Sequence, residues 1–108
     1  PWFVKYAPVG VHAPHHAPKE WSDRFRGKFD QGYEKLREQI FANQKKLGVL
    51  PANAKLSPWP KEIPAWDSLT PDQKRLFARQ MEVFAGYLAY TDHEIGRVIE
   101  QVERQGQR

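Results

Sequence analysis

A long amphipathic helix near the C-terminus places the strongest constraint on how this chain can fold. Thr70 is followed by Pro71 and then by Gln73, the pattern of a capping box with proline at the first helical position. Behind it, apolar residues recur at steps of three and four, with a gap near Thr91: Phe77, Met81, Phe84, Leu88, Ile95, Ile99 and Val102. The pattern predicts a helix over residues 71–104. Such a stripe needs a large partner surface, so we expect a chain that is part of a bigger α/β domain.

Two shorter helices are predicted before the long one. Pro18 can open a short helix in "PKEWSDRFRG", and Gly27 stops it. The stretch "DQGYEKLREQIFANQKKLG" has two lysines in its last turn and Gly48 as a C-terminal cap. Its apolar residues fall near one helical face: Tyr33, Leu36, Ile40, Phe41 and Leu47. The proline-rich residues 49–69 predict an irregular connection, with Trp59, Ile63 and Trp66 packed onto another surface.

The N-terminal residues predict a strand. Residues 2–11, "WFVKYAPVGV", form the short apolar run that is typical of a buried strand in a parallel sheet. Pro8 cannot donate to a ladder, so the strand should end near Tyr6 or Ala7. We therefore expect the α/β fold class, in a segment that is itself mostly helical with one N-terminal strand and a long C-terminal helix.

The composition excludes several kinds of chemistry. The 108 residues suffice for one small domain. There is no cysteine, which rules out disulfides, thiolate metal sites and a cysteine-derived nucleophile within these residues. The net charge is +4, but basic residues alternate with acidic ones, so we expect no nucleic-acid partner. No run is apolar enough to predict a membrane segment.

Three of the four histidines lie in "GVHAPHHAP", residues 10–18. This loop follows the predicted strand, at the kind of position where ligands bind in open α/β sheets. A joint metal site of His12, His15 and His16 is disfavoured, because neighbouring side chains on extended backbone face opposite ways. His12 remains as the candidate, since a positioned imidazole can bind an anion or donate a proton. His93, on the long helix, is expected to have a surface or packing role.

Three stretches in order resemble an internal segment of the type I sulfatases, and of bacterial arylsulfatases in particular. They are "PWFVKYAPVGVHAPHHAPKEW", "RGKFDQGYEKLREQIFANQKKLGVLP" and "ARQMEVFAGYLAYTDHEIGRVIEQVE". The telling pieces are the His-x-Pro-x-x-x-Pro stretch after the strand and the helix carrying "DHEIGRV". Because the resemblance covers nearly the whole chain, residues 1–108 are interpreted as part of a sulfatase catalytic domain.

The resemblance implies an alkaline-phosphatase-like fold with a mostly parallel sheet between helices. It also implies hydrolysis of sulfate esters by a formylglycine nucleophile, with a calcium ion that binds the sulfate. The family's histidine of the H-x-P stretch aligns with His12, which implies a catalytic and substrate-binding residue that contacts the sulfate and is a proposed proton donor. His15 and His16 are at most residues of the substrate pocket. The compartment stays open between bacterial cytoplasm and periplasm, as do the physiological ester and the oligomeric state.

Much of the family's active site is absent from these residues. The sequence holds no Cys/Ser-x-Pro-x-Arg stretch, no N-terminal Asp pair and no Asp-Asn-Gly. We therefore expect no metal ligand and no cofactor on this segment, which alone should be inactive. Its expected partners are the remainder of the sulfatase domain and, in the parent enzyme, a sulfate ester.

Two alternatives remain open at this stage. One is a related phosphodiesterase or phosphonate monoester hydrolase of the alkaline-phosphatase superfamily. The other, of a different class, is a non-catalytic helical interaction module that binds a partner through the long helix and the tryptophan-rich segment. A free module should fold alone and should not expose a long apolar stripe.

Overall fold

The computed structural model describes residues 3–106, and most of them are helical. Helix α1 spans Lys19–Asp23, α2 spans Tyr33–Lys46 and α3 spans Pro71–Arg104, with a short 3₁₀ helix at Trp66–Ser68. The chain divides into two compact units. The first joins the chain up to Arg26 with the chain from Gln80 onward, and the second is Gly27–Arg79. Both units therefore contain a part of α3.

The long C-terminal helix has the predicted bounds and the predicted cap. The backbone N–H of Thr70 donates to Oε1 of Gln73 at 2.9 Å, and the N–H of Gln73 donates to Oγ1 of Thr70 at 3.3 Å. This reciprocal pair is a capping box, which satisfies two donors that the helix start leaves without partners. Ion pairs three or four residues apart, such as Arg97 with Glu94, line its solvent side.

Helix α2 ends as the glycine predicts. Gly48 has a φ of +73°, and its N–H donates to the Lys45 carbonyl at 3.1 Å. The N–H of Val49 donates to the Gln44 carbonyl at 2.9 Å, which completes a Schellman motif. Helix α1 is shorter than predicted, because it ends at Asp23 and a run of turns leads on to Gly27.

The second unit is built around Trp66, which is buried. The Tyr33 ring lies 5.1 Å from the Trp66 ring. The backbone N–H of Trp66 donates to the Glu34 carboxylate at 2.8 Å. The Tyr33 hydroxyl donates to the Phe77 carbonyl at 2.6 Å, and burial raises the pKa of this phenol. Trp66 thus packs as predicted, whereas Ile63 stays exposed.

The first unit brings α1 against α3 at Gly86. A Cβ on this buried glycine would lie 2.6 Å from the Ser22 Cα, so only glycine permits the approach. The Trp21 ring lies 5.1 Å from the His93 ring and 5.6 Å from the Tyr90 ring. His93 therefore has the packing role expected for it.

The predicted N-terminal strand is not found in the part of the chain that the structure describes. Phe3 is 90% exposed, and Val4 and Tyr6 are also exposed. A strand needs backbone partners on a neighbouring strand, and residues 3–106 contain no strand that could provide them. The α/β prediction is thus confirmed only in its mostly helical character and long last helix. Pro1 and Trp2 lie outside the described residues.

None of the seven residues of the apolar stripe of α3 is fully buried, which is in the direction that the sequence predicts for a helix needing a further partner surface. Leu88 and Ile99 are each 52% exposed, and Phe77, Met81 and Phe84 are half-buried. Within residues 3–106 the buried apolar side chains are few: Phe29, Trp66 and Ala78. An autonomous interaction module would be expected to close its core, so the exposed stripe argues against that alternative.

Candidate active-site loop

The loop of residues 10–18 presents His12 to solvent. His12 ends a turn in which its backbone N–H donates to the Val9 carbonyl at 2.7 Å. The ring Nδ1 lies 2.6 Å from the Ala13 carbonyl oxygen. Because a carbonyl only accepts, Nδ1 must donate in this contact, which leaves Nε2 to release or take up a proton. The His12 ring is thus exposed to solvent, with Nε2 not engaged by the Ala13 carbonyl.

His15 has a different environment in the same loop. Its half-buried ring stands edge-on to Phe84 of α3, with ring centroids 5.5 Å apart and an interplanar angle of 83°. The Tyr87 ring lies 5.9 Å away. On the other side of His12, Gly10 lies so close to Thr91 that a Cβ would be 3.0 Å from the Thr91 Cβ. The loop therefore contacts α3 on both sides of His12.

The three loop histidines do not form a metal centre. His16 is exposed, and its N–H donates to the Pro14 carbonyl at 3.0 Å. Within the described range no group of three His, Cys, Asp or Glu side chains could hold a metal ion. Calcium prefers six to eight oxygen ligands. The three imidazole side chains of the loop are nitrogen donors, so they do not fit that requirement.

Charged residues near the end of α3 line a concave surface that is separate from the histidine loop. This open groove has a volume of about 480 Å³, and its lining includes Tyr6, Arg97, Val98 and Arg104. None of the three loop histidines lines it. Its arginines pair with acidic neighbours on the same helix, so it lacks the uncompensated positive charge that an anion site needs.

Sequence reasoning missed the contacts that hold the loop. Phe84, Tyr87 and Thr91 are spaced by three and four residues, so they lie on one face of α3. This spacing was visible in the sequence, but nothing in the sequence said that His15 and Gly10 would lie against that face. The hydrogen bond from the Trp66 backbone N–H to the Glu34 carboxylate also depends on a contact between distant segments.

Comparison with known proteins gives matches over nearly the whole chain. The family model described as Sulfatase matches residues 1–108. An arylsulfatase of Klebsiella aerogenes is 35% identical over 106 residues, which cover 98% of this chain and 23% of that protein. An uncharacterized sulfatase of Schizosaccharomyces pombe is 36% identical over an alignment of 109 positions, which covers 97% of this chain and 19% of that protein.

The match over the whole chain decides the class. This chain belongs to the sulfatase family. It spans about a fifth of the length of the curated relatives it matches. Among the described residues, no helix combines the length and the apolar character needed to cross a membrane.

Proposed function

We propose that this chain is a segment of an arylsulfatase-type sulfuric ester hydrolase in which His12 contacts the sulfate and protonates the leaving oxygen. The observation that supports this most is the exposed His12 ring, held through Nδ1 in a loop of a chain that belongs to the sulfatase family. The Klebsiella aerogenes relative, named an arylsulfatase, supports the aryl ester class.

The chemistry required of His12 follows from the bond that breaks. As the S–O bond of the ester cleaves, negative charge develops on the bridging oxygen that becomes the alcohol or phenol. An imidazolium whose Nε2–H points at that oxygen delivers the proton. The ring then keeps its Nδ1–H toward the Ala13 carbonyl, so the neutral tautomer left after the transfer is already hydrogen-bonded.

The nucleophile and the metal belong, in this proposal, to the rest of the enzyme. The family resemblance implies a formylglycine that attacks sulfur and a calcium ion that binds the sulfate. Residues 1–108 hold no Cys/Ser-x-Pro-x-Arg stretch, and the described part holds no calcium donor set. This segment would therefore supply the acid.

Substrate profiling of the full-length protein tests the proposed class. We expect kcat/KM to be higher for nitrophenyl sulfate than for bis(nitrophenyl) phosphate or a phosphonate monoester. His12→Ala should lower the sulfatase activity, while His16→Ala, a matched change at an exposed histidine in the same loop, should leave it near the wild-type value. A preference for the phosphodiester or the phosphonate would contradict the proposal and favour the related hydrolases.

A further inference from the structure

His15 is the histidine of the loop whose ring packs against two aromatic rings of α3. Its ring is edge-on to Phe84 and tilted by 50° to Tyr87. Edge-to-face contacts at this separation are the favourable arrangement for aromatic pairs. His12 and His16, by contrast, are exposed. The His15 side chain is therefore a contact between the loop and the long helix.

This contact lies three positions after His12, and a second contact lies two positions before it at Gly10. There the backbone approaches the Thr91 side chain more closely than any residue with a Cβ would allow. Phe84, Tyr87 and Thr91 share one face of α3, so both contacts use the same rigid surface. The backbone that carries His12 is thus held on both sides.

We propose that His15 is a positioning residue, whose ring fixes the loop on Phe84 and Tyr87 so that His12 keeps its place for proton transfer. The inference rests on the proposed role of His12. The ring is needed here for its shape and packing and not for its nitrogens, because its neighbours are aromatic rings. A phenylalanine at this position should therefore serve nearly as well, and an alanine should not.

The loss on removing the ring should come from misplacement of His12. A displacement of about 1 Å in a catalytic group can cost up to roughly 100-fold in rate, so we expect a loss of about 10- to 100-fold in kcat for His15→Ala. The loss should be larger for alkyl sulfates than for nitrophenyl sulfate, because the former depend more on the proton that His12 delivers. A purely structural defect would lower both rates alike.

A double-mutant cycle on the full-length protein tests this, with kcat and KM measured for both esters. The variants are His12→Ala, His15→Ala, His15→Phe and the double change of His12 and His15 to alanine, with His16→Ala as the control. We expect His15→Phe to restore kcat and the double variant to be no slower than His12→Ala, because a positioning residue has no effect once the group it positions is gone.

The cycle distinguishes a failure of the positioning role of His15 from a failure of the proposed role of His12. If His15→Ala and His12→Ala losses multiply in the double variant, or if His15→Phe is as slow as His15→Ala, the positioning role is overturned while the role of His12 stands. If His12→Ala has no effect that depends on the leaving group, the proposed function and the positioning role are both overturned. His15→Phe keeps the ring contact, so it gives a result even if His15→Ala does not fold.

Discussion

Three histidines within one short loop have three different environments, and the difference arises from what each ring meets. His12 meets a backbone carbonyl and solvent, His15 meets two aromatic rings, and His16 is exposed. Residue type alone therefore does not distinguish the three histidines. The turn at Val9 and the contacts with α3 separate the ring that can react from the ring that packs.

At the residue scale, Gly10 offers a test of the second contact. In Gly10→Ala the new Cβ would lie 3.0 Å from the Thr91 Cβ and 3.1 Å from its Cγ2, so the loop has to move away from α3. We expect a lower kcat on sulfate esters and a loss of about 1–3 kcal/mol in the free energy of unfolding. Steady-state kinetics and denaturant unfolding of the full-length protein measure both.

Gly96→Ala is the matched control for that change. Gly96 lies within α3, and a Cβ there meets nothing within 4 Å. Alanine should stabilise the helix by about 0.5–1 kcal/mol and leave kcat unchanged. Equal activity of Gly10→Ala and wild type would show that the close approach to Thr91 does not position the loop.

At the scale of elements, the hydrogen bond from Tyr33 at the start of α2 to the Phe77 carbonyl in α3 predicts a pH effect on stability. Burial raises the pKa of the phenol above its value of 10.0 in an unfolded chain. The contribution of Tyr33 to the free energy of unfolding is therefore fully present below pH 10.0. It is lost as the pH rises through the higher pKa of the folded state.

Removing the hydroxyl should remove this pH dependence. Tyr33→Phe should cost about 1 kcal/mol at neutral pH, because the hydrogen bond is lost, and should lose less stability than wild type in alkaline solution. Thermal unfolding at neutral and alkaline pH measures the difference, with Tyr6→Phe, at an exposed tyrosine, as the control. If wild type and Tyr33→Phe lost the same stability at alkaline pH, the Tyr33 phenol would not be the source of the pH dependence.

The elements that depend on local sequence were predictable, and those that depend on distant partners were not. The capping box at Thr70 and Gln73 and the glycine cap at Gly48 involve residues within one turn, so the bounds of α3 and the end of α2 follow from the pattern. The N-terminal strand failed as a prediction, because a strand requires a neighbour that the pattern cannot supply.

For the candidate site, the sequence singled out His12 but not the contacts that hold its loop. The residues that meet the loop, Phe84 and Thr91, are separated from their partners in it by about 70 and about 80 residues. No periodicity connects segments so far apart. The role of His15 becomes visible only once the loop lies on the helix.

For the whole molecule, the stripe of α3 and the match to part of larger sulfatases both support the interpretation of this chain as part of a sulfatase catalytic domain. Leu88 and Ile99 of this stripe are exposed, and its other members are at most half-buried. The relatives are about four to five times longer than the region they share with this chain. A sulfatase segment of this kind would bury the stripe against the remainder of its domain.

The isolated chain should neither hydrolyse aryl sulfates nor bind calcium tightly. The reason is that the described residues do not assemble the carboxylate ligands that calcium requires, and the chain has no Cys/Ser-x-Pro-x-Arg stretch. Isothermal titration calorimetry of residues 1–108 with calcium measures this directly. A site of micromolar affinity on this chain would contradict the assignment of the metal to the rest of the enzyme.

Proton donation by His12 to the leaving oxygen can be measured with a leaving-group series on the full-length enzyme. The measurement is kcat/KM for a series of sulfate esters, from nitrophenyl to alkyl, in wild type, His12→Ala and His16→Ala. We expect a loss of roughly 10²- to 10⁴-fold for His12→Ala with poor leaving groups, a small loss with nitrophenyl sulfate, and little change for His16→Ala. A His12→Ala loss that is uniform across the series, or one that His16→Ala equals, would contradict it.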